Sequence, residues 1–305
     1  MSRTSIRVAT IAALVFVASI GIAARSPITF RTVAALTDAP LPAFGSGKAI
    51  DIASIVRAIP DRGPEGTADT VYAPHPAVRY QRSIVEGLGN CSNMVKGLSW
   101  KLLRDGYEFE IVYVLPIEAA LSGGGHTILR GTFALPEGQR VGLVDLVAAA
   151  VPRTSGHVMD IDDFRGAVPE VFLDPLRPES EDFSGFYSPE FLHEVVIGRT
   201  SSTETADWFR VLDQMYIDLN LPEKLDKIIF VGIGVVLGLA PPIHVDDLAL
   251  VQSRHAFEFA SMRAALWGMR VAPLILLGCG MFSLFESFRR RSGIVECRDL
   301  AGVGS

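Results

Sequence analysis

Three residues in the middle of the chain have the side-chain types of a thiol catalytic site. They are Cys91, His126 and Asp145, in that order along the chain. A nucleophilic thiol needs a neighbouring base that takes its proton, and an imidazole base needs an acceptor that orients its second ring nitrogen. A thiol, an imidazole and a carboxylate supply these three roles. They act together only if the elements that carry them meet.

Cys91 lies at the predicted start of a helix. Cys91, Val95, Leu98 and Leu102 follow the spacing of one buried stripe, and Gly106 supplies the stop signal. Unpaired backbone N–H groups and the helix dipole at such a start favour the thiolate. Cys91 alone is also compatible with a small buried core residue, which is the commoner role of a cysteine on an apolar helix stripe.

His126 and Asp145 lie on two strands of a predicted hairpin. Alternating and continuous apolar runs predict three successive strands, at residues 108–115, 126–133 and 141–147. We centre the hairpin between Leu135 and Pro136, a point that lies within the turn signal at 135–138. His126 and Asp145 then oppose each other directly and point to one side of the sheet.

Packing of the 91–104 helix against that face would bring Cys91 to the second nitrogen of the imidazole. With His126 and Asp145 at compatible positions, a catalytic thiol is favoured over a core cysteine. A Cys/His/Asp metal site is the less favoured alternative, because no fourth ligand has a telling spacing. We therefore predict a site that uses neither a metal nor a cofactor.

The residues around these three positions resemble the core of the transglutaminase-like superfamily. The segments that carry the resemblance are GNCSN at 89–93, LLRDGYEF at 102–109, GHT at 125–127 and GLVD at 142–145. They cover a helix that begins with cysteine, the strand that follows it, and the His and Asp strands of that family. The order Cys, His, Asp also agrees. The resemblance covers about 70 residues, less than a quarter of the chain.

This resemblance implies an α+β class with a papain-like core, in which the cysteine helix packs on an antiparallel sheet. It implies thiol acyl-transfer chemistry on a protein or peptide amide, with Cys91 as nucleophile, His126 as general acid and base, and Asp145 orienting the imidazole. Family members include protein cross-linking enzymes, cysteine proteases and amidases. The alternative is a non-catalytic envelope protein that keeps the fold and acts as a scaffold or partner in an assembly or export complex.

Composition excludes several other classes of protein. The chain has 305 residues, 49% hydrophobic and 20% charged, which is incompatible with a disordered protein. Its net charge is −6 and no basic stripe occurs, so no nucleic-acid partner is expected. Residues 158–226 carry 16 Asp and Glu against 5 Lys and Arg, which indicates a solvated acidic surface. The three cysteines lie too far apart for a disulfide framework.

Apolar runs near both ends predict membrane helices. We divide the chain into a signal anchor at 1–25, an extended lead-in at 26–76, the transglutaminase-like core at 77–150 and an acidic, loop-rich extension at 151–227. An apolar segment at 228–243, a transmembrane helix at 264–286 and a basic cytoplasmic tail at 287–305 complete the chain.

The orientation in the membrane follows from the arginines that flank the two outer runs. Arg3 and Arg7 precede the first run and Arg289–Arg291 follow the last, so both ends are expected in the cytoplasm of a bacterium. The main domain would then lie in the periplasm, anchored to the inner membrane. The run at 228–243 leaves this open, because its borderline length suits either a second span or a buried segment of the domain. Cleavage of the first run as a signal peptide also stays open.

Overall fold

The structure, a computed structural model, describes residues 3–25, 35–41, 44–45, 47–60, 75–121, 124–164, 170–177, 184–215 and 241–301, with the side chains of 3, 23–25 and 289–301 excepted. The chain divides into two compact units. One consists of residues 31–256 and the other of residues 1–30 together with 257–305. The first unit holds all the described strands and the three candidate residues, and the second holds the two long terminal helices.

The larger unit is of mixed α+β class, as predicted. Its described helices are α2 (Ile52–Ala58), α3 (Pro76–Tyr80), α4 (Cys91–Arg104), α5 (Pro189–Leu192), α6 (Ser202–Met215) and α7 (Leu248–Arg254). Its strands are β1 (Leu36–Thr37), β2 (Phe109–Pro116), β3 (His126–Leu135), β4 (Gly138–Val144), β5 (Ala150–Thr154), β6 (His157–Val158), β7 (Phe172–Pro175), β8 (Val195–Ser201) and β9 (Ile243–Val245).

Six of these strands form the main sheet, in the order β1-β9-β8-β2-β3-β4, and β6-β5-β7 form a smaller one. All the strand pairs of the main sheet are antiparallel except β1 with β9. Strand β2 is central and its residues are buried on both faces up to Leu115, which accounts for its mostly apolar sequence. The exception, Glu110, is buried beside Arg130. Helix α4 packs against β3 and β2.

Helix α4 confirms the predicted start at Cys91. The Asn90 side chain caps it by accepting a hydrogen bond from the N–H of Asn93, and Gly106 ends it with a φ of 72°. Val95, Leu98 and Leu102 of the predicted stripe are at most 1% exposed. The helix therefore begins at the cysteine because a capping side chain precedes it, and it stays in place because its stripe is buried.

The apolar pattern also predicts a helix over 77–88, before Cys91, and the structure has it in modified form. Helix α3 continues into one turn of π-helix, Gln81–Val85, which ends before Gly87 and Gly89. Both glycines have positive φ angles, a conformation that other residues rarely adopt. These two glycines let the chain reverse and enter α4.

The β3–β4 hairpin has a different register from the predicted one. Its ladder closes at Leu135 and Gly138, so Pro136 and Glu137 form the turn and Gly138, with a φ of 109°, is already the first residue of β4. Direct pairing of His126 with Asp145 is therefore wrong. Asp145 follows the last ladder pair, Leu129 with Val144, and falls opposite Ile128. A shift of two residues keeps the same face, so His126 and Asp145 are diagonal neighbours.

The main sheet extends beyond the predicted core at 77–150. Strand β8, from the segment predicted to be loop-rich, pairs with β2 along seven residues. The same segment contains a stretch, 204–219, whose sequence predicts a helix. Helix α6 begins two residues before that start, and the predicted end at Leu219 lies outside the described residues. Of the apolar run at 228–243, residues 228–240 lie outside the described part, and Ile243 begins β9 within the sheet.

The smaller unit contains the two terminal helices, α1 (Arg3–Arg25) and α8 (Ala256–Ala301). Thr4–Ile22 of α1 and Ala256–Phe288 of α8 are long and apolar enough to cross a membrane. Large apolar side chains project outward from both helices, as a lipid-facing surface requires; among them are Leu14, Val17, Leu274, Leu277, Met281 and Phe285.

The two terminal helices approach closely at Gly268. A Cβ atom there would lie 2.2 Å from Oγ of Ser19 and 3.3 Å from Cγ1 of Val15. Gly268→Leu should therefore push α1 and α8 apart and cost about 1–3 kcal/mol. The midpoint of thermal unfolding of the full-length protein in detergent measures this loss of stability, and it should be lower in Gly268→Leu. Gly278→Leu, at a site with no heavy atom within 4 Å, is the matched control. Equal midpoints for the two variants would contradict the close approach.

Candidate active site

Three neighbouring elements position the three predicted residues. Cys91 is the first residue of α4, His126 is the first residue of β3, and Asp145 directly follows β4. The glycine before His126 is required by its surroundings, because a Cβ atom at Gly125 would lie 2.6 Å from the carbonyl oxygen of Val114. Its φ of 143° also disfavours other residues. The chain can thus turn into β3 close to β2, which fixes where the imidazole begins.

His126 and Asp145 form a buried ion pair. Nε2 of His126 lies 2.6 Å from Oδ2 of Asp145, and the two side chains are 1% and 0% exposed. The other oxygen, Oδ1, accepts hydrogen bonds from the backbone N–H groups of Val147 and Ala148 at 2.9 and 3.0 Å. The tight turn after β4 therefore orients the carboxylate, and the carboxylate orients the imidazole.

The second ring nitrogen of His126 is left for the thiol. Nδ1 is buried and has no hydrogen bond of regular geometry within the described part of the chain. Hydrogen bonding and charge nevertheless couple His126 to Cys91. We conclude that the thiol lies within interaction distance of the imidazole and that Nδ1 is the ring nitrogen available to it. The predicted triad is thus brought together.

The electrostatics of the site favour a thiolate beside an imidazolium. Burial alone would raise the pKa of the Cys91 thiol, but a hydrogen bond and positive charge from His126, with the Thr127 backbone, lower it below its usual value. Burial likewise opposes the charge on His126, yet the Asp145 carboxylate outweighs it and raises the pKa of His126 to about 10. The pKa of Asp145 is lowered in spite of its burial, because His126 and hydrogen-bond donors stabilise its charge.

Two aromatic residues that were not predicted complete the site. Phe186 stacks on the imidazole of His126 with ring centroids 4.3 Å apart and planes within 7° of parallel. Tyr187 meets the same imidazole edge-on and donates its hydroxyl hydrogen to Oδ2 of Asp145 at 2.9 Å. Both lie in a 3₁₀ turn, Ser184–Tyr187. No local pattern places this turn beside β3, because 42 positions separate Tyr187 from Asp145 and strands β5, β6 and β7 lie between them.

Four other histidines that form hydrogen bonds in the described part of the chain have partners away from the triad. His75 pairs with Asp213 and His157 with Asp163, both at the surface. His244 lies between Glu204 and the carbonyl oxygen of Ala39, and His255 contacts the carbonyl oxygen of Ile117. Among the described residues, no group of three or more His, Cys, Asp or Glu side chains is arranged to hold a metal ion.

Comparison with known proteins gives no family assignment. No protein-family model matches the chain, and no curated protein or solved structure shows significant similarity to it. The function therefore has to be argued from the site itself.

Proposed function

We propose that the protein is a membrane-anchored thiol enzyme with a transglutaminase-like, papain-type core, acting on a protein or peptide amide through a thioester on Cys91. The observation that carries this proposal is the buried His126–Asp145 pair, whose second nitrogen is left for a thiol of lowered pKa at a helix start. A buried charged pair is costly to maintain. Perturbed groups of this kind cluster at functional sites.

The proposed reaction begins with attack of the Cys91 thiolate on the amide carbonyl carbon. The C=O electron pair moves onto oxygen, and the backbone N–H of Cys91 at the start of α4 is a candidate donor to that oxyanion. When the C–N bond breaks, the proton on Nδ1 of His126 goes to the leaving amine. Cys91 then carries a thioester and the imidazole is neutral.

The second half of the reaction regenerates the site. Water or an amine attacks the thioester carbonyl and gives its proton to Nδ1 of His126, and Cys91 leaves as a thiolate. Asp145 holds the Nε2 proton in both halves, so Nδ1 always faces the reacting atoms. Attack by water gives hydrolysis, whereas attack by a lysine side chain gives transamidation.

We further propose that the larger unit lies in the periplasm of a bacterium and is tethered to the inner membrane by α1 and α8. The support is the pair of apolar helices together with the arginines at their outer flanks, Arg3, Arg7 and Arg289–Arg291. A tethered enzyme of this kind would meet envelope proteins or peptides as substrates. Reporter fusions at Asp246, between the two helices, should report the periplasm, and a cytoplasmic signal would contradict this orientation.

Alkylation of Cys91 should rise with pH in two steps. The first step lies below the midpoint of an ordinary thiol, about 8.5, because His126 stabilises the thiolate. The second lies near pH 10, where His126 loses its proton and leaves an unpaired thiolate. The rate of iodoacetamide labelling, followed at the Cys91 peptide by mass spectrometry in detergent, measures both. A single rise with a midpoint near 8.5 would contradict the pairing.

Turnover of p-nitrophenyl acetate tests whether the site is catalytic, since this activated ester needs no specific substrate pocket. The full-length protein in detergent should release about one p-nitrophenolate per chain in a burst, followed by steady turnover as water cleaves the acetyl thioester. Cys91→Ser and His126→Gln should abolish both phases. Cys279→Ser, in α8, is the control and should retain them. If the wild type releases p-nitrophenolate no faster than Cys91→Ser, the non-catalytic scaffold is the better explanation.

A further inference from the structure

The carboxylate of Asp145 accepts four hydrogen bonds. Backbone groups donate two of them to one oxygen, and side chains donate the other two to the second oxygen. Oδ1 is held by the backbone N–H groups of Val147 and Ala148. Oδ2 is shared between Nε2 of His126, at 2.6 Å, and the hydroxyl of Tyr187, at 2.9 Å. Orientation of the carboxylate is therefore already provided by backbone at Oδ1. The Tyr187 hydroxyl acts on the oxygen that faces the imidazole.

We propose that Tyr187 is a positioning residue that limits the negative charge Asp145 presents to His126, and so sets how tightly the imidazole holds its proton opposite Cys91. This inference rests on the proposed thiol function. It adds a fourth side chain, from a turn distant in sequence, to the three that the chemistry alone requires.

The direction of the effect follows from competition for one oxygen. A hydroxyl that donates to Oδ2 withdraws charge from it, so the bond from Nε2 to the same oxygen stabilises the imidazolium less than an unshared oxygen would. The pKa of Tyr187 is raised well above 10 by its burial and by Asp145, so the hydroxyl stays protonated and donating wherever the triad works. Tyr187 thus weakens the hold of His126 on its proton, which must be released to the leaving amine.

Contacts other than the Tyr187 hydroxyl hold the triad in place. Removal of that hydroxyl should therefore change the charge on Oδ2 and leave the geometry of the triad unchanged. The imidazole is held by stacking on Phe186 and by its bond to Asp145, and Asp145 is held by backbone. Tyr187→Phe removes one buried oxygen atom and leaves the ring that meets the imidazole edge. The variant therefore changes the charge on Oδ2 while the side chains that orient the triad remain.

The test is the pH profile of Cys91 alkylation in full-length Tyr187→Phe, compared with Tyr107→Phe. Tyr107 lies on the loop before β2 with Lys48 over its ring, away from the triad, so its variant is a matched loss of one hydroxyl. In Tyr187→Phe the step near pH 10 should move to higher pH. The first step should not move lower, because His126 is protonated on both sides of it and the charge on Asp145 itself raises the pKa of Cys91. Profiles that coincide with that of Tyr107→Phe, or a high-pH step that moves lower, would overturn the inference.

A double variant tests whether Tyr187 acts through Asp145. In an Asp145→Asn background the charge that Tyr187 moderates is gone, so adding Tyr187→Phe should leave the His126 step where Asp145→Asn alone puts it. If the Tyr187→Phe shift of that step is as large in this background as in the wild type, the hydroxyl does not act through Asp145 and the inference is wrong. Should Asp145→Asn fail to fold, the single variants decide.

Failure of this inference and failure of the proposed function give different results. If the wild type and His126→Gln have the same profile, the thiol is not paired and the proposed function fails. If the wild type shows a lowered, His126-dependent profile and Tyr187→Phe matches Tyr107→Phe, the function stands and the role of Tyr187 alone is refuted.

Discussion

Replacing His126 with glutamine should slow the alkylation of Cys91 by iodoacetamide about 10-fold at pH 6. Without the imidazolium, an ordinary thiol is only about 0.3% ionised at that pH. The loss of thiolate is partly offset, because a more basic thiolate is more nucleophilic. Burial of Cys91 raises its pKa further once His126 is gone, so the loss is a lower bound.

The control for this prediction is His157→Gln. His157 is also paired with an aspartate, Asp163, but its side chain is 57% exposed and lies on the small sheet. Its replacement should leave the labelling rate at Cys91 unchanged. The rates are measured at the Cys91 peptide by mass spectrometry, so Cys279 and Cys297 do not contribute. Equal rates in wild type and His126→Gln at pH 6 would remove the basis for a catalytic thiol.

Asp145→Ala should lower the free energy of unfolding by about 3–5 kcal/mol. The substitution leaves a buried imidazolium without its counter-charge. It also strands three donors, the hydroxyl of Tyr187 and the backbone N–H groups of Val147 and Ala148. Most of the lost stability comes from these buried groups that are left unpaired, and less comes from the loss of the ion pair itself. Denaturant unfolding of the full-length protein, followed by tryptophan fluorescence, measures the change.

A second histidine–aspartate pair supplies the matched control for Asp145→Ala. Nε2 of His75 lies 2.8 Å from Oδ1 of Asp213, a distance close to that of the buried pair, but the Asp213 side chain is 68% exposed. Asp213→Ala should therefore cost less than about 1 kcal/mol. If Asp145→Ala and Asp213→Ala lower the free energy of unfolding equally, burial does not make the His126–Asp145 pair costlier to break than an exposed pair.

Local signals in the sequence were sufficient for the elements that carry the triad. Asn90 as a cap, the apolar stripe through Leu102 and Gly106 as a stop determine α4 without any long-range contact. Alternation and turn residues likewise located β2, β3 and β4. The two-residue error in the hairpin register arose because the hairpin was centred between Leu135 and Pro136, whereas its ladder closes at Leu135 and Gly138 and is centred between Pro136 and Glu137. Since the period of a strand is two, the error did not change the face.

The parts that sequence reasoning missed depend on contacts between distant segments. The β-branched run Val195–Ile197 has the composition of a strand, and this signal in the acidic segment could have revealed β8. Phe186 and Tyr187 had no such signal, because an aromatic pair in an irregular segment is compatible with many environments. Only the folded chain brings that turn onto His126 and Asp145.

The central claim, a Cys91 thiolate held by protonated His126, is tested most directly by the ultraviolet absorbance of the thiolate. The difference between the full-length wild type and Cys91→Ser, recorded in detergent across the pH range, isolates this one sulfur. We expect a transition below that of an ordinary thiol, which His126→Gln moves to higher pH. A transition near pH 8.5 that is the same with and without His126 would contradict it.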